Sequence, residues 1–182
     1  MTAVTSSAGE IERLLASAAA GDEHAFASIV AAHHDDMRRV CVVVVGNEDI
    51  ADEAVEAAWS KAWRKLGSVR EPAHLRPWLV SIAVNEARQL VRSRSRRAMV
   101  EITVEQLDDA TADDTAAGTI HAIDLRNALA RLDPDDRALL AMRYVAGFDS
   151  TELGYATGRS PSGTRARLAR LLHRLERELG DA

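Results

Sequence analysis

At 182 residues the chain is long enough for one domain or two small ones, and with nearly half its residues apolar but only seven aromatic, its core should consist of Leu, Val, Ile and Ala. No run reaches the ~18 to 20 apolar residues of a membrane span, the start MTAVTSSAGEIERLL has no secretory pattern, and the single Cys41 excludes an internal disulfide or a Cys-rich zinc site, so a cytoplasmic protein without membrane insertion is expected. The net charge of -5 hides a segregation: residues 76–97 and 159–177 each carry six arginines against one acid, whereas 101–124 carry seven acids and no Lys or Arg.

Residues 10–20 read as an alanine-rich helix ended by Gly21, with Asp22 placed to cap the next. In that second helix Phe26, Ile29, Val30, His33, Met37, Val40, Cys41 and Val44 recur at helical spacing, despite four β-branched valines at 42–45. Gly46 and Asn47 end it. Asp49 is expected to cap a third helix with Ala51, Val55, Ala58, Trp59, Ala62 and Leu66 on its apolar side and Asp52, Glu53 and Glu56 outside. After the loop GSVREPAH a fourth helix, from 75 to about 97, buries Leu75, Leu79, Ile82, Ala83 and Leu90. Trp78, Ser81, Asn85, Arg88 and Arg92 share a neighbouring face. An aromatic, an amide and arginines together suit phosphate contact and stacking on unpaired bases; the plainer alternative is a half-buried Trp78 beside solubilising arginines. Glu86, at the edge of the apolar stripe, should pair with an arginine or mark the stripe's limit.

Residues 98–123 contain too little apolar surface to order the whole segment, and read as a flexible acidic linker. The fold class expected is therefore all-α, with two small helical domains, 1–97 and 124–182, on either side of it. A helix over 123–132 should bury Leu125, Leu129 and Leu132. Asp133 and Pro134 start another, with Asp135 and Asp136 favourable near its N-terminus and an end near Gly147. Asp149 or Ser150 starts a short helix that Gly158 stops, and Ser160 and Pro161 start the last one. That last helix has Leu168, Leu171, Leu172, Leu175 and Leu179 on one face and Arg167, Arg170, Arg174 and Arg177 on the opposite one. A short helix, a glycine turn and a basic second helix make a helix-turn-helix, whose second helix can enter the DNA major groove; the alternative is an amphipathic hairpin with solvated arginines.

The segments GDEHAFASIVAAHHDDMRRV, ADEAVEAAWSKAWRKL and LRPWLVSIAVNEARQLVRSRSRR, followed by LARLDPDDRALLAMRYVAGFDSTELGYATGRSPSGTRARLARLLHRLEREL, together resemble an extracytoplasmic function sigma factor, the small two-domain branch of the bacterial sigma factors. The resemblance implies a non-catalytic protein, without cofactor, metal or small-molecule substrate, that binds core RNA polymerase and directs promoter recognition and DNA melting. It implies that Asp52, Glu53, Glu56, Trp59 and Trp63 meet the clamp helices of the largest polymerase subunit, and that the second domain meets the flap of the second-largest. Trp78, Asn85, Arg88, Arg92, Arg96 and Arg97 would read and help melt the minus-ten element, with the loop 67–74 receiving a flipped-out base. Ser162, Arg165 and Arg167 would face bases of the minus-thirty-five element while Arg159 and Arg170 meet phosphates. An anti-sigma partner is implied on the same ground. The chain departs from the family's pattern at Glu56-Ala57, where members often carry Gln-Glu, at Gln89 in place of Asp, and at Pro161-Ser162-Gly163-Thr164, where Glu-Gly-Thr-Val is frequent.

Two rival readings come from other classes. His33, His34, Asp35 and Asp36, with His24 nearby, suggest a metal-dependent phosphohydrolase, since imidazole and carboxylate suit zinc, manganese or iron; but consecutive histidines on a helix do not converge on one ion. A stand-alone helix-turn-helix regulator would explain the arginines of 165–177 but leave the basic helix at 76–97 without a purpose. The seven acids of the connector further suggest that the free protein masks its own basic faces.

Overall fold

A computed structural model of the chain describes residues 8–101 and 120–180, and all regular elements among them are helical. The order is α1 (Ala8–Ala19), α2 (Glu23–Val45), α3 (Glu48–Lys65), α4 (Leu75–Glu101), α5 (Ile120–Arg131), α6 (Pro134–Tyr144), α7 (Ser150–Thr157) and α8 (Pro161–Gly180), with 3-10 turns at Leu66–Ser68 and Pro72–His74 between α3 and α4. No helix among the described residues is long and apolar enough to cross a membrane.

Local chemistry sets most of these boundaries. The Asp22 carboxylate accepts hydrogen bonds from the backbone N–H groups of His24 and Ala25, two of the donors that a helix start leaves without partners. Asn47, and not the expected Asp49, caps α3 by accepting from the Ile50 N–H at 2.9 Å. Asp49 lies inside the first turn instead, where its charge meets the positive end of the helix dipole. α6 stops at Tyr144, short of Gly147, because the chain turns back there: the Val145 and Ala146 N–H groups bond to Ala141 O, and Phe148 N–H to Met142 O. α4 runs on to Glu101 and α5 begins at Ile120, so residues 98–101 and 120–123 are helical rather than linker. The remainder of the proposed linker, 102–119, lies outside the described residues.

The first four helices share a core in which small side chains let the backbones approach closely. Met37, Val40 and Cys41 of α2, Ala51, Val55 and Ala58 of α3, and Leu79, Ala83 and Ala87 of α4 are all fully buried. Burial pushes the Cys41 thiol up to about 12, so it is chemically inert at neutral pH. Around α6, Leu139, Met142, Phe148, Leu153, Leu171 and Leu175 form the second part of the core. Leu125, expected inside, is 44% exposed and Leu129 is half-buried, whereas Ala128 of α5 and Leu132 just after it are buried. Glu86 is buried, and its partner is Lys61 of α3 rather than an arginine.

The two halves are in contact. α2 packs along α6, and α4 along α7. Arg137 donates to Val44 O at 2.8 Å, and Arg76 donates to Ala146 O at 2.6 Å and to Asp36 at 2.8 Å. The Arg76 guanidinium lies 4.9 Å from the centre of the Phe148 ring, and the His74 ring stacks on Tyr155 at 4.2 Å.

Breaking a buried pair from the cationic side strands the carboxylate, at ~3–5 kcal/mol when both groups are fully desolvated. The Lys61 side chain is 39% exposed, and screening reduces the expected loss to about 1–2 kcal/mol. In urea denaturation, Lys61→Met should therefore lower the unfolding free energy by about that amount, and Glu86→Gln, which leaves a neutral amide, by less.

Candidate nucleic-acid interface

On α3, helical spacing places Asp52, Glu56, Trp59 and Trp63 within about a sixth of a turn of one another, with Glu53 about 100° round. Trp63 is 37% exposed and Glu56 is exposed, whereas Trp59 is half-buried, edge-on to Phe26 and donating from Nε1 to His34 Nδ1 at 3.3 Å. Asp52 is held by Arg38, which also reaches Glu48, and Glu53 is held by Arg94 of α4. The stripe is thus acidic and aromatic, with Asp52, and Glu53 beside it, oriented by cations.

On α4, Trp78, Asn85, Arg92 and Arg96 fall on one line along the helix, and the last three are exposed. Trp78 is half-buried against the core. Arg88 is turned off that line toward α6, where Nε comes within 3.3 Å of Asp135 without the alignment of a hydrogen bond, and Nη1 reaches Asn85 at 3.4 Å. Burial lowers its pKa, with Asp135 opposing and Arg92 adding to the effect. The side chain of Arg97 lies outside the described residues.

α7 and α8 form the helix-turn-helix. A capping box starts α7: the Asp149 carboxylate accepts from the Thr151 and Glu152 N–H groups, and Glu152 accepts from the Asp149 N–H. Gly158 ends it at φ 65, a conformation that L side chains rarely adopt. The turn closes so tightly that a Cβ on Gly154 would lie 2.8 Å from Arg159 O. Ser162 and Arg165 are exposed on the first turns of α8, and Arg165 donates to the Ser150 hydroxyl at 2.9 Å. Arg167, grouped with them in the sequence reading, instead lies more than a third of a turn away from Ser162 and donates from Nε to Asp136 at 2.6 Å. Arg174 joins it on the same carboxylate at 3.2 Å. Arg159 and Arg170 are exposed, and with Arg167, Arg174 and Arg177 they line an open cavity of about 590 Å³ in which Asp136 is the one acid.

Asp136 lies in the first turn of α6 as the sequence reading placed it, and has a further role that reading did not foresee. It is 9% exposed and fixes the basic face of α8 to α6. A usable signal existed, since the run Asp133-Pro134-Asp135-Asp136 holds more acids than one cap requires. Among the described residues no group of three His, Cys, Asp or Glu could hold a metal ion. His34 accepts from Trp59, while His33 Nδ1 is buried without a partner, so the two histidines serve different neighbours.

The family model for sigma-70 region 2 matches residues 29–97. The extracytoplasmic function RNA polymerase sigma factor SigM of Mycobacterium tuberculosis is 31% identical over 167 residues, covering 92% of this chain and 83% of its own length. The RNA polymerase sigma factor CarQ of Myxococcus xanthus is 28% identical, over 88% of this chain and 92% of its own. The fold is shared with CnrH, solved in complex with the cytosolic domain of CnrY (TM-score 0.68, 24% identity, 93% of this chain and 96% of that one), and with RpoE of Bartonella quintana, solved with the anti-sigma factor NepR (TM-score 0.67, 23% identity, 85% and 96%).

Because a Cβ at position 154 meets backbone rather than a movable side chain, Gly154→Ala should cost about 1–3 kcal/mol and weaken duplex binding. Gly163→Ala, whose Cβ meets only the Ser160 hydroxyl, should cost less; gel-shift titration alongside thermal unfolding checks both. Burial, reinforced by Arg76 and opposed by Asp36, lowers the His33 pKa below its ordinary value. The unfolded chain therefore takes up this proton first as pH falls. The stability from neutral His33 is present above the ordinary imidazole pKa and is lost as pH falls through it toward the folded value. The drop in urea midpoint between about pH 7.5 and about pH 5.5 should be smaller in His33→Leu than in the unsubstituted chain.

Proposed function

The chain belongs to the extracytoplasmic function sigma factors of bacterial RNA polymerase, and from that premise we propose how its surfaces divide the work of promoter-specific transcription initiation. Residues 1–97 act as the unit that binds core enzyme and melts DNA, and 124–182 as the unit that reads the upstream duplex. The α3 stripe of Asp52, Glu56, Trp59 and Trp63, with Glu53 beside it, takes the clamp helices of the largest subunit, and the second unit takes the flap of the second-largest. The α4 line of Trp78, Asn85, Arg92 and Arg96, with Arg88 and Arg97 to its sides, captures unpaired bases and backbone of the minus-ten element. Ser162 and Arg165 face bases of the minus-thirty-five element, with Arg159, Arg167 and Arg170 on its phosphates.

Sigma factors are in general recognition proteins rather than enzymes, and on this reading the chain catalyses nothing itself, needs no cofactor, and works in the cytoplasm beside the polymerase. The chain's likeness to RpoE, solved with an anti-sigma factor, supports an anti-sigma partner here too.

The observation that carries the proposal is the presence in one chain of two separate basic helices, one with a tryptophan and an amide on its arginine face and one following a tight turn. A stand-alone regulator would use only the second. Reconstitution with purified core polymerase is the test: the chain should form a stable complex and give promoter-dependent transcripts. Glu56→Arg combined with Trp63→Ala should weaken core binding by about 30-fold, the effect of losing ~2 kcal/mol at an interface anchor. Arg92→Ala with Arg96→Ala should reduce the log-log salt dependence of open-complex formation by about 1.4, or ~0.7 per single-strand phosphate. Tight duplex binding by the chain alone, with no association with core, would overturn the sigma reading in favour of the regulator.

A further inference from the structure

The α3 stripe is braced from α2. Phe26, His34 and Arg38 lie on one side of α2, within about a third of a turn of one another, and together they reach Trp63, Trp59 and Asp52 of α3 in antiparallel order. The Phe26 ring stands edge-to-face with both tryptophans, its centre 5.7 Å from that of Trp59 at an interplanar angle of 88° and 4.8 Å from that of Trp63 at 65°. His34 Nδ1 accepts from Trp59 Nε1 at 3.3 Å, and Arg38 Nε donates to Asp52 at 2.7 Å. An accepting Nδ1 means a neutral imidazole with its proton on Nε2.

What the brace does follows from the cost of docking a side chain that is free to turn. A tryptophan on an exposed helix face gives up rotamer freedom when a partner covers it, which weakens binding by about 2- to 12-fold per side chain. A pair already held in one arrangement has met that cost on folding. The hydrogen bond adds what ring packing alone does not. It fixes which edge of the Trp59 indole faces α2, and it satisfies Nε1 within the chain, so the ring can be covered without stranding a donor. The Arg38 and Asp52 side chains are 34% and 47% exposed, and solvent screens their pair, so the aromatic end of the brace carries the effect.

We propose that Phe26 and His34 are positioning residues for polymerase binding, which set Trp63 and Trp59 in the arrangement that the clamp helices meet. The proposal rests on the assignment of the α3 stripe to core polymerase made above. It also gives a task to His34, which belongs to neither of the proposed DNA-reading faces.

The test uses the full chain titrated with purified core polymerase. His34→Leu and Phe26→Leu should each weaken the complex by about 3- to 10-fold, the effect of one hydrogen bond or one aromatic pair. His34→Gln, whose amide oxygen can accept from Nε1, should restore binding to within about twofold of the unsubstituted chain, which loss of packing alone would not allow. In a Trp59→Phe chain, where the donor is gone, His34→Leu should have no further effect. With Trp63→Phe and Trp78→Phe, Trp59 is the only tryptophan left, and its fluorescence anisotropy should show added sub-nanosecond motion in His34→Leu but not in His34→Gln. Undiminished core binding by His34→Leu, equal weakening in His34→Gln, or a His34→Leu effect that persists beside Trp59→Phe would each overturn the proposal; where Phe26→Leu does not fold, the His34 arms decide alone. If Glu56→Arg with Trp63→Ala leaves core binding unchanged, the surface assignment fails instead, and the anisotropy still judges whether His34 fixes Trp59.

Discussion

Arg76 is the point at which the two halves of the chain become one structure. Its guanidinium donates to a carboxylate of α2 and to a carbonyl of the turn after α6, with its flat face on a fully buried phenylalanine. Only arginine has the planar fork to serve all three at once, because a lysine would carry one compact charge to one of them. Asp36 is shared with Arg39 of its own helix, so the carboxylate would remain paired if Arg76 withdrew.

A second constraint shapes α8. Arg167, Arg170, Arg174 and Arg177 follow one another at helical spacing, and such crowding of like charge is unfavourable unless something negative lies among them. Asp136, nearly buried and contacted by two of the four, is that counter-charge. It also sits in the first turn of α6, where the helix dipole favours it. One carboxylate therefore sets the orientation of α8 relative to α6. Arg165 lies outside this cluster and donates to the Ser150 hydroxyl instead.

The parts of this architecture that were legible in the sequence are those written in short-range chemistry. The cap at Asp22, a helix start at Asp149 or Ser150, the stop at Gly158 and the buried stripes of α2 and α4 all follow from residues within a few positions of one another. The surface assignments on α3 and α8 came from the family likeness, and helical spacing then fixed which residues share a face. The contact between the two halves was illegible. Arg76 and Arg137 donate to carbonyls 70 and 93 positions away, and a backbone carbonyl carries no side-chain identity to read. Glu86 was recognised as out of place on an apolar stripe, but whether Lys61 or an arginine answered it depended on the packing of α3 on α4.

The contacts between the two halves respond to salt differently from binding of cations to a nucleic acid. Promoter binding releases counterions for every phosphate neutralised, so it weakens steeply as ionic strength rises. The contacts between the halves are mainly arginine to backbone carbonyl, ring on ring and cation on ring, partly shielded from solvent, and mobile ions screen them far less than exposed charge pairs. Arg88 with Asp135 is the exception, and it is a poorly aligned pair. Raising salt should therefore leave the contact between the two halves largely intact. The net charge of -5 bears on nucleic-acid binding alone, since the chain as a whole is repelled by DNA unless its cationic faces are presented.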